Sequence, residues 1–281
     1  MLAVVDVSDS SSPSVVGAVR HASLLDGAIG VACDKRGYVL VAAYQSDALT
    51  VVDVSDPPSP TVAGSLVDPA RLDGPIAVAH DNSRKLAVVL GYLSGTLLVA
   101  DLTFPGSPRL AGWIGGLGGP KSVAIDESGQ RAFVSLERVD AIAVIDLTSP
   151  SDPSISTMLS DASLLRGAGT VVYDASVAMA LVCAQASASL VMIDAAVSMD
   201  KPTIRGVIPG ISAPTGVATD AASSLALVTS NGKGVSSQVS LTVVNLTESS
   251  IVAKIPLGSL QGSADVAYDA AGQRAIVLDR S

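Results

Sequence analysis

The chain has few aromatic residues, few cysteines and little positive charge. Aromatic side chains make up 3% of its 281 residues, which argues against a site that stacks sugar rings. There are two cysteines, and a chain of this length buries enough surface to need neither a disulfide nor a metal for stability. Its net charge is -9, from 26 acidic and 17 basic residues. That balance disfavours nucleic acid and anionic membrane surfaces, because both are bound through Lys and Arg.

Long hydrophobic runs and catalytic motifs are also missing. Apolar runs such as 96–100 and 141–145 are strand-length, far below the roughly 18 residues of a membrane span, so we expect no direct membrane insertion. No basic flank or cleavage site follows Met1, and no signal peptide is visible. The sequence contains no G-x-S-x-G, P-loop or H-E-x-x-H motif. His21 and His80 have no partner pattern for zinc.

A long-period repeat dominates what is present. An apolar run, usually with Val and ending in Asp or once in Asn, recurs six times at steps of 45 to 51 residues. Its copies end at Asp6, Asp53, Asp101, Asp146, Asp194 and Asn245. A second series lies between them, at Asp34, Asp81, Asp126, Asp174, Asp220 and Asp269. Repetition at this period indicates a propeller or solenoid. The run 275–279 would continue into 2–6 with nearly the internal spacing, which favours a closed ring.

Each repeat reads as four strands, labelled A (innermost) to D. In 75–114, four apolar runs are separated by Gly, Pro, Asp and Ser. We therefore predict an all-β fold in one domain, a six-bladed β-propeller with four antiparallel strands per blade. The blades are expected at about 28–66, 75–114, 120–160, 168–208 and 214–257, and a sixth combines 264–281 with 2–19. This two-plus-two closure removes exposed sheet edges. Cys33 and Cys183, three repeats apart, would lie too far apart for a disulfide.

Two segments resemble a known repeat family. Residues 51–65 read VVDVSDPPSPTVAGS, and 4–9 read VVDVSD, followed by Pro13 and Gly17. These strings resemble the LVIVD repeat, and 126–129 with 216–218 resemble the related YVTN repeat. The resemblance weakens in the fourth and fifth blades, where Asp194 lacks a following Ser/Thr and Asn245 replaces Asp. It implies a β-propeller of surface, extracellular or lumenal location, generally without a catalytic assignment, so no catalytic residues are carried over.

The aspartate series are interpreted as turn formers, since Asp at a strand end accepts backbone N–H groups. A functional site is expected where the blades differ, on the face that the D–A and B–C loops share. The candidate ligand-binding or partner-binding residues on this face are Asp26, Tyr44, Asp73, Tyr92, Lys121, Glu137, Arg138, Arg166, Gln185 and Asp265. Trp113, in strand D, is either a rim anchor or a packing residue.

These features favour a non-catalytic interaction or scaffold module whose partners are other protein subunits. One alternative is a calcium-dependent, lactonase-like hydrolase in which Asp26, Asp73, Glu137 and Asp265 supply hard oxygen ligands. Another is a small-ligand binder at the mouth of the channel, where Tyr44 and Tyr92 would form a small aromatic patch. Apart from that possible calcium ion, the sequence predicts no cofactor.

Overall fold

The computed structural model describes residues 1–9, 11–195, 202–231, 238–258, 260 and 262–279. The chain divides into two compact units, Met1–Glu127 with Leu147–Ser154 and Ser128–Asp146 with Ile155–Ser281. Regular structure in the described residues is β-strand, with two single 3-10 turns at Tyr44–Ser46 and Glu137–Val139. Over the same ranges, no helix has the length and apolar character to cross a membrane.

The first unit contains one two-stranded and two four-stranded sheets. Its strands are β1 (Leu2–Asp6), β2 (Ser14–Val19), β3 (Ala28–Asp34), β4 (Tyr38–Ala43), β5 (Ala48–Asp53), β6 (Thr61–Val67), β7 (Pro75–Asp81), β8 (Leu86–Gly91), β9 (Thr96–Asp101), β10 (Arg109–Ile114) and β11 (Pro120–Asp126). Strand β1 pairs with β2. Strands β3 to β6 form one antiparallel sheet in chain order, and β7 to β10 form another.

The second unit repeats this organisation. Its strands are β12 (Arg131–Leu136), β13 (Ala141–Asp146), β14 (Ser154–Ser160, which starts at the boundary), β15 (Ala168–Asp174), β16 (Met179–Ala184), β17 (Ser189–Asp194), β18 (Thr203–Pro209), β19 (Pro214–Asp220), β20 (Leu225–Ser230), β21 (Ser240–Asn245), β22 (Ser250–Pro256), β23 (Ser263–Asp269) and β24 (Arg274–Asp279). Strands β15 to β18 and β19 to β22 form four-stranded antiparallel sheets in chain order. Strand β12 pairs with β13, and β23 with β24. The predicted all-β class with four-stranded antiparallel sheets is confirmed.

The middle strands form the core. Every residue of β8 and all but the last of β9 are buried. Both faces of these strands are covered, which explains why their sequences are continuous hydrophobic runs rather than alternating ones. The core of the first unit includes Leu40, Leu49, Leu72, Val89 and Leu98. That of the second includes Leu181, Met192, Ile208, Val228 and Val244.

The aspartate repeats are turn formers, as the sequence predicted. Oδ1 of Asp53 accepts hydrogen bonds from the backbone N–H of Ser55 at 2.9 Å and from its hydroxyl at 2.6 Å. Both bonds lower the pKa of Asp53, and the bond from the Ser55 hydroxyl contributes more than the bond from the Ser55 N–H. The same bond to the N–H two residues later is made by Asp6, Asp34, Asp101, Asp174, Asp220, Asn245 and Asp269. Every member of both series is the last residue of its strand.

A glycine in the fourth strand lets the next sheet approach. A Cβ atom at Gly64 would lie 2.7 Å from the carbonyl oxygen of Pro105 and from backbone atoms of Gly106 in the β9–β10 turn. Gly17 and Gly112 face backbone atoms of Pro57 and Pro150 in the same way. The contact explains why the repeat combines a glycine with a proline-rich turn, since a backbone can approach this closely only where the side chain is absent.

Candidate functional site

The loops that the sequence placed on one face are joined by backbone hydrogen bonds. In the β3–β6 sheet, the N–H of Tyr44 donates to the carbonyl of Gly27 at 2.9 Å, and that of Gln45 donates to Asp26 at 3.2 Å. In the β7–β10 sheet, the N–H of Tyr92 donates to Gly74 at 3.0 Å, and that of Leu93 donates to Asp73 at 3.1 Å. The structure therefore places two of the predicted residue pairs side by side, Asp26 with Tyr44 and Asp73 with Tyr92.

The second unit has the equivalent arrangement. The N–H of Gln185 donates to Gly167 at 3.1 Å, and that of Ala186 donates to Arg166 at 3.0 Å. Arg166 and Gln185, both predicted site residues, are thus neighbours and exposed. Gln185 also lines a cavity of about 360 Å³ together with Ser212 and Ala213.

Aspartates in left-handed conformation fix the positions of these loops. Asp47 has φ 47° and Asp140 has φ 51°, and each closes one of the 3-10 turns. Oδ1 of Asp47 accepts the N–H of Gly74 at 3.1 Å, and Oδ1 of Asp140 accepts the N–H of Gly167 at 2.9 Å. Asp tolerates this conformation better than most residues. Two carboxylates of this face therefore have a structural role.

An apolar patch lies on this face of the first unit. We define the tyrosine–leucine patch as Tyr44, Tyr92 and Leu93. A Cβ atom at Gly74 would lie 2.9 Å from both Cε2 of Tyr44 and Cγ of Leu93, so these two side chains flank the glycine. Nζ of Lys121 lies 5.5 Å from the ring centroid of Tyr92, within cation–π range. Leu93 is 49% exposed. Leu93 was not among the residues predicted from the sequence, although an apolar residue in the middle of an otherwise polar B–C loop could have indicated it.

Of the remaining predicted site residues, two lie in the expected B–C loop and two lie in strands. Glu137 and Arg138 form the 3-10 turn after β12. Asp265, expected in a D–A loop, lies inside β23, and Lys121, expected in another, is the second residue of β11. The pKa of Asp265 is raised because its carboxyl group loses hydration beside the backbone of Gly216. These two placements correct the loop assignment of Lys121 and Asp265, whereas the predicted blade starts at about 120 and 264 agree with the strands.

The buried charged groups lie at the opposite ends of the strands. Oδ2 of Asp34 is 2.6 Å from Nη2 of Arg36 and 3.7 Å from Nε2 of His80. Both Asp34 and His80 have almost fully buried side chains. Within the described residues, no group of three or more His, Cys, Asp and Glu side chains could hold a metal ion.

Trp113 lies in the outermost strand of its sheet, as predicted, and is 46% exposed. The guanidinium carbon of Arg71 lies 5.2 Å from the ring. The indole is therefore partly covered by a cation of the preceding loop, which supports a packing role for part of its surface.

Many solved structures have similar folds, and three of them illustrate the range. Hydrazine synthase of Kuenenia stuttgartiensis matches with a TM-score of 0.73 and 17% identity, over 92% of this chain and 75% of that one. A protein from Lactobacillus plantarum matches with a TM-score of 0.75 and 13% identity, over 96% and 88%. A chain of the nidogen/laminin complex matches with a TM-score of 0.64 and 12% identity, over 92% and 89%. Identities this low establish the fold alone.

The sequence comparisons identify the repeat. No curated protein matches the chain. The LVIVD repeat model matches residues 1–20 and 35–68, which contain the two segments whose aspartate turns and packing glycines were described above. Residues 1–20 and 35–68 are thus LVIVD repeats, and the fold of the chain is similar to that of β-propeller proteins.

Proposed function

We propose that the chain is a non-catalytic interaction module that binds another protein through the tyrosine–leucine patch. The observation that carries this proposal is Leu93, an exposed aliphatic side chain that follows Tyr92 on a hydrogen-bonded loop and flanks Gly74 together with Tyr44. Tyrosine supplies a large contact area with few rotatable bonds, and aromatic residues are enriched in interface cores. Lys121, Asp26 and Asp73 add charged groups around the patch, as expected for a polar rim.

The fold supports this reading. A chain of the nidogen/laminin complex has the same fold, so a protein of this architecture occurs in a protein complex. The net charge of -9 favours protein partners over nucleic acid. We expect the partner to present an apolar side chain for the patch and positive charge near Asp26 and Asp73.

We also propose that the fold is a six-bladed ring, in which β23 and β24 share a sheet with β1 and β2. Within its own unit, each of these pairs is a two-stranded sheet with an unpaired edge. Each also exposes apolar side chains, among them Val15 and Leu278. Pairing β24 with β1 would give hydrogen-bond partners to the free backbone groups on one edge of each sheet. Slow amide hydrogen exchange in β1 and β24 would support the ring, and fast exchange along both strands would contradict it.

The interaction proposal is tested with two matched variants. Leu93→Asp places a charge in the tyrosine–leucine patch. Phe104→Asp places the same charge at the other end of β9, in the β9–β10 turn, where Phe104 is 69% exposed. The purified, biotinylated chain and each variant are incubated with extract of the native source, and captured proteins are quantified by mass spectrometry.

We expect a small set of proteins whose capture falls about tenfold with Leu93→Asp and stays unchanged with Phe104→Asp. Circular dichroism and the melting temperature establish that both variants fold. Equal loss with both variants, or no loss with Leu93→Asp, would contradict a binding role for the patch. Binding must then be repeated with the purified partner, so that capture alone does not decide the outcome.

We propose further that the chain has no resident metal and no catalytic activity. The calcium-dependent hydrolase stays the alternative, and the melting temperature distinguishes the two. A calcium site of the folded state must raise the melting temperature by mass action at millimolar Ca²⁺. An unchanged melting temperature is expected, and an increase abolished by Asp26→Asn or Asp73→Asn would favour the alternative.

A further inference from the structure

The connection before β19 is shorter than its counterparts. Residues 68–74 connect β6 to β7, residues 161–167 precede β15, and residues 20–27 connect β2 to β3. Only 210–213 lie between β18 and β19. This connection is three to four residues shorter than those three, and the five-residue connection 115–119 between β10 and β11 is also short.

In the three longer connections the additional residues form a turn with a defined packing role. The N–H of Leu72 donates to the carbonyl of Asp68 at 2.6 Å, and the N–H of Leu165 donates to Asp161 at 2.8 Å. Both leucines are fully buried. The carbonyl groups in these turns accept hydroxyl donors from the following sheet. Oγ1 of Thr50 donates to Leu24, and Oγ of Ser187 donates to Ser163 at 2.7 Å.

The short connection keeps the buried apolar residue but lacks the turn. Ile211 is buried like Leu72 and Leu165, and its N–H donates to Ala188 at 3.0 Å. In the long connections the equivalent bond to the preceding sheet is made by the first residue of the turn, as when the N–H of Asp161 donates to Asp140. In the short connection, a single residue, Ile211, both makes this bond and fills the buried position.

Two consequences follow in the β19–β22 sheet. Thr242 lies three residues before the end of its strand, as Thr50 does, but its hydroxyl is buried and has no hydrogen-bond partner, and the residue is 1% exposed. A cavity of about 320 Å³ lies beside Thr242. This volume is at the lower end of the range for small-molecule sites.

The polar residues that line the cavity are mostly hydroxyl-bearing and include one cation. They are Ser212, Ser230, Gln238, Ser240, Thr242 and Lys254. Thr242 and Lys254 are directly opposite each other in the β21–β22 ladder, so their side chains project from the same face. Nζ of Lys254 donates to the carbonyl of Gly210 at 2.6 Å, which uses one of its three N–H donors. No carboxylate lies among the described residues that line the cavity.

We propose that this cavity is a binding site for a small carboxylate that carries hydroxyl groups, such as a sugar acid. The ammonium of Lys254 would form a charge-assisted hydrogen bond with the carboxylate, and a rotation of the Thr242 side chain would bring its buried hydroxyl to the ligand as the partner that it lacks. The hydroxyl groups of Ser230 and Ser240 share a hydrogen bond of 2.8 Å, so one hydroxyl donor and the lone pairs of both oxygens remain for ligand hydroxyl groups. The site is independent of the tyrosine–leucine patch, which belongs to the other unit.

The test is calorimetric titration of the full chain with gluconate, with neutral glucitol as the uncharged match and inorganic phosphate as a simple anion. We expect gluconate to bind with a dissociation constant below about 1 mM and both controls to bind at least about tenfold more weakly. No gluconate binding, or equal binding of glucitol or phosphate, would overturn the proposal.

Three variants locate the binding. Lys254→Met should weaken gluconate binding by about tenfold, and Lys254→Arg should retain most of it. Thr242→Val should weaken binding by about fivefold while raising the melting temperature of the free protein, because it removes a buried hydroxyl without a partner. Lys35→Met, at an exposed lysine of the other unit, is the matched control. Equal losses with Lys35→Met and Lys254→Met would show non-specific charge binding and overturn the assignment.

Discussion

Nε of Arg84 lies 2.7 Å from Oδ2 of Asp81, in an ion pair whose carboxylate is almost fully buried. The guanidinium also donates through Nη1 to the carbonyl of Leu147 at 2.6 Å. Arg36 has the same double role, since it pairs with Asp34 and donates to the carbonyl of Leu102 at 3.1 Å. These arginines connect a strand-end aspartate to the residue after the strand-end aspartate of a later repeat.

Arg84→Met should therefore destabilise the protein by about 2 to 4 kcal/mol, because it leaves the buried carboxylate of Asp81 without its cation. Chemical denaturation measures the loss. Lys35→Met is the control, since Lys35 is exposed, and should change the free energy of unfolding by less than about 0.5 kcal/mol. Equal effects would mean that the ion pair adds nothing to stability.

His80 predicts a pH dependence of stability. Both of its ring nitrogens are buried without a hydrogen-bond partner, and Nε2 is 3.7 Å from Asp34. Burial lowers the pKa of His80. The negative charge of Asp34 acts in the opposite direction and is outweighed, and the positive charge of Arg36 lowers the pKa slightly further. The folded-state pKa is below the unfolded value of about 6.5. The stability contributed by neutral His80 is therefore fully present above pH 6.5 and falls as the pH drops towards the folded-state pKa.

Between about pH 6.5 and 5, the wild type should lose stability, and His80→Leu should remove most of that slope. His21→Leu, at the exposed histidine, should leave the slope unchanged. An NMR titration of the His80 ring in the wild type measures the pKa directly. A value above 6.5 would contradict the prediction.

Acid should weaken the protein a second time through its aspartates. Burial alone would raise the pKa of Asp34 and of Asp81, but hydrogen bonds from Arg36 in one case and from Ser83 and Arg84 in the other outweigh it and lower both values. Their stabilising contribution is present above the unfolded value of about 3.9 and is lost as the pH falls below it. Urea midpoints between about pH 5 and 3 should fall less in Asp81→Asn than in the wild type, although the variant starts from a lower stability.

Gly64→Ala should destabilise the protein by about 1 to 3 kcal/mol, because the added methyl group meets the backbone of Pro105 and Gly106, which cannot move independently of its turn. Gly258→Ala is the matched control, since a Cβ atom there meets no atom of the described residues within 4 Å. The difference between the two melting temperatures checks the prediction. A Gly64→Ala variant as stable as the control would show that the turn yields.

The two cysteines should differ in reactivity. Cys33 is exposed, whereas Cys183 is fully buried, and burial raises the pKa of the Cys183 thiol. A thiol reagent should label one cysteine in the native protein and both in guanidinium chloride. Cys33→Ser should abolish native labelling. Rapid native labelling of that variant would mean that the strand β16 opens readily.

Local features were predictable from the sequence. The strand ends at Asp34, Asp53 and Asp81 follow from an apolar run that meets a turn-forming residue. The shared face of the D–A and B–C loops followed from antiparallel connectivity, and the Asp26–Tyr44 neighbourhood confirms it. Asp265 and Lys121 were assigned to loops because they are charged, although each is within the first residues of a strand whose start was predicted to within one residue. The blade count and the ring closure stay predictions.

The sequence by itself determined the repeat, the strands and their aspartate turns, because these depend on residues close together in the chain. Tertiary structure decided which side chains meet. Leu93 and Tyr44 lie on different sheets and flank Gly74, and Thr242 lacks the carbonyl partner that Thr50 has because a turn is missing. Such outcomes depend on how loops from successive repeats pack, and a single run of residues does not encode that packing.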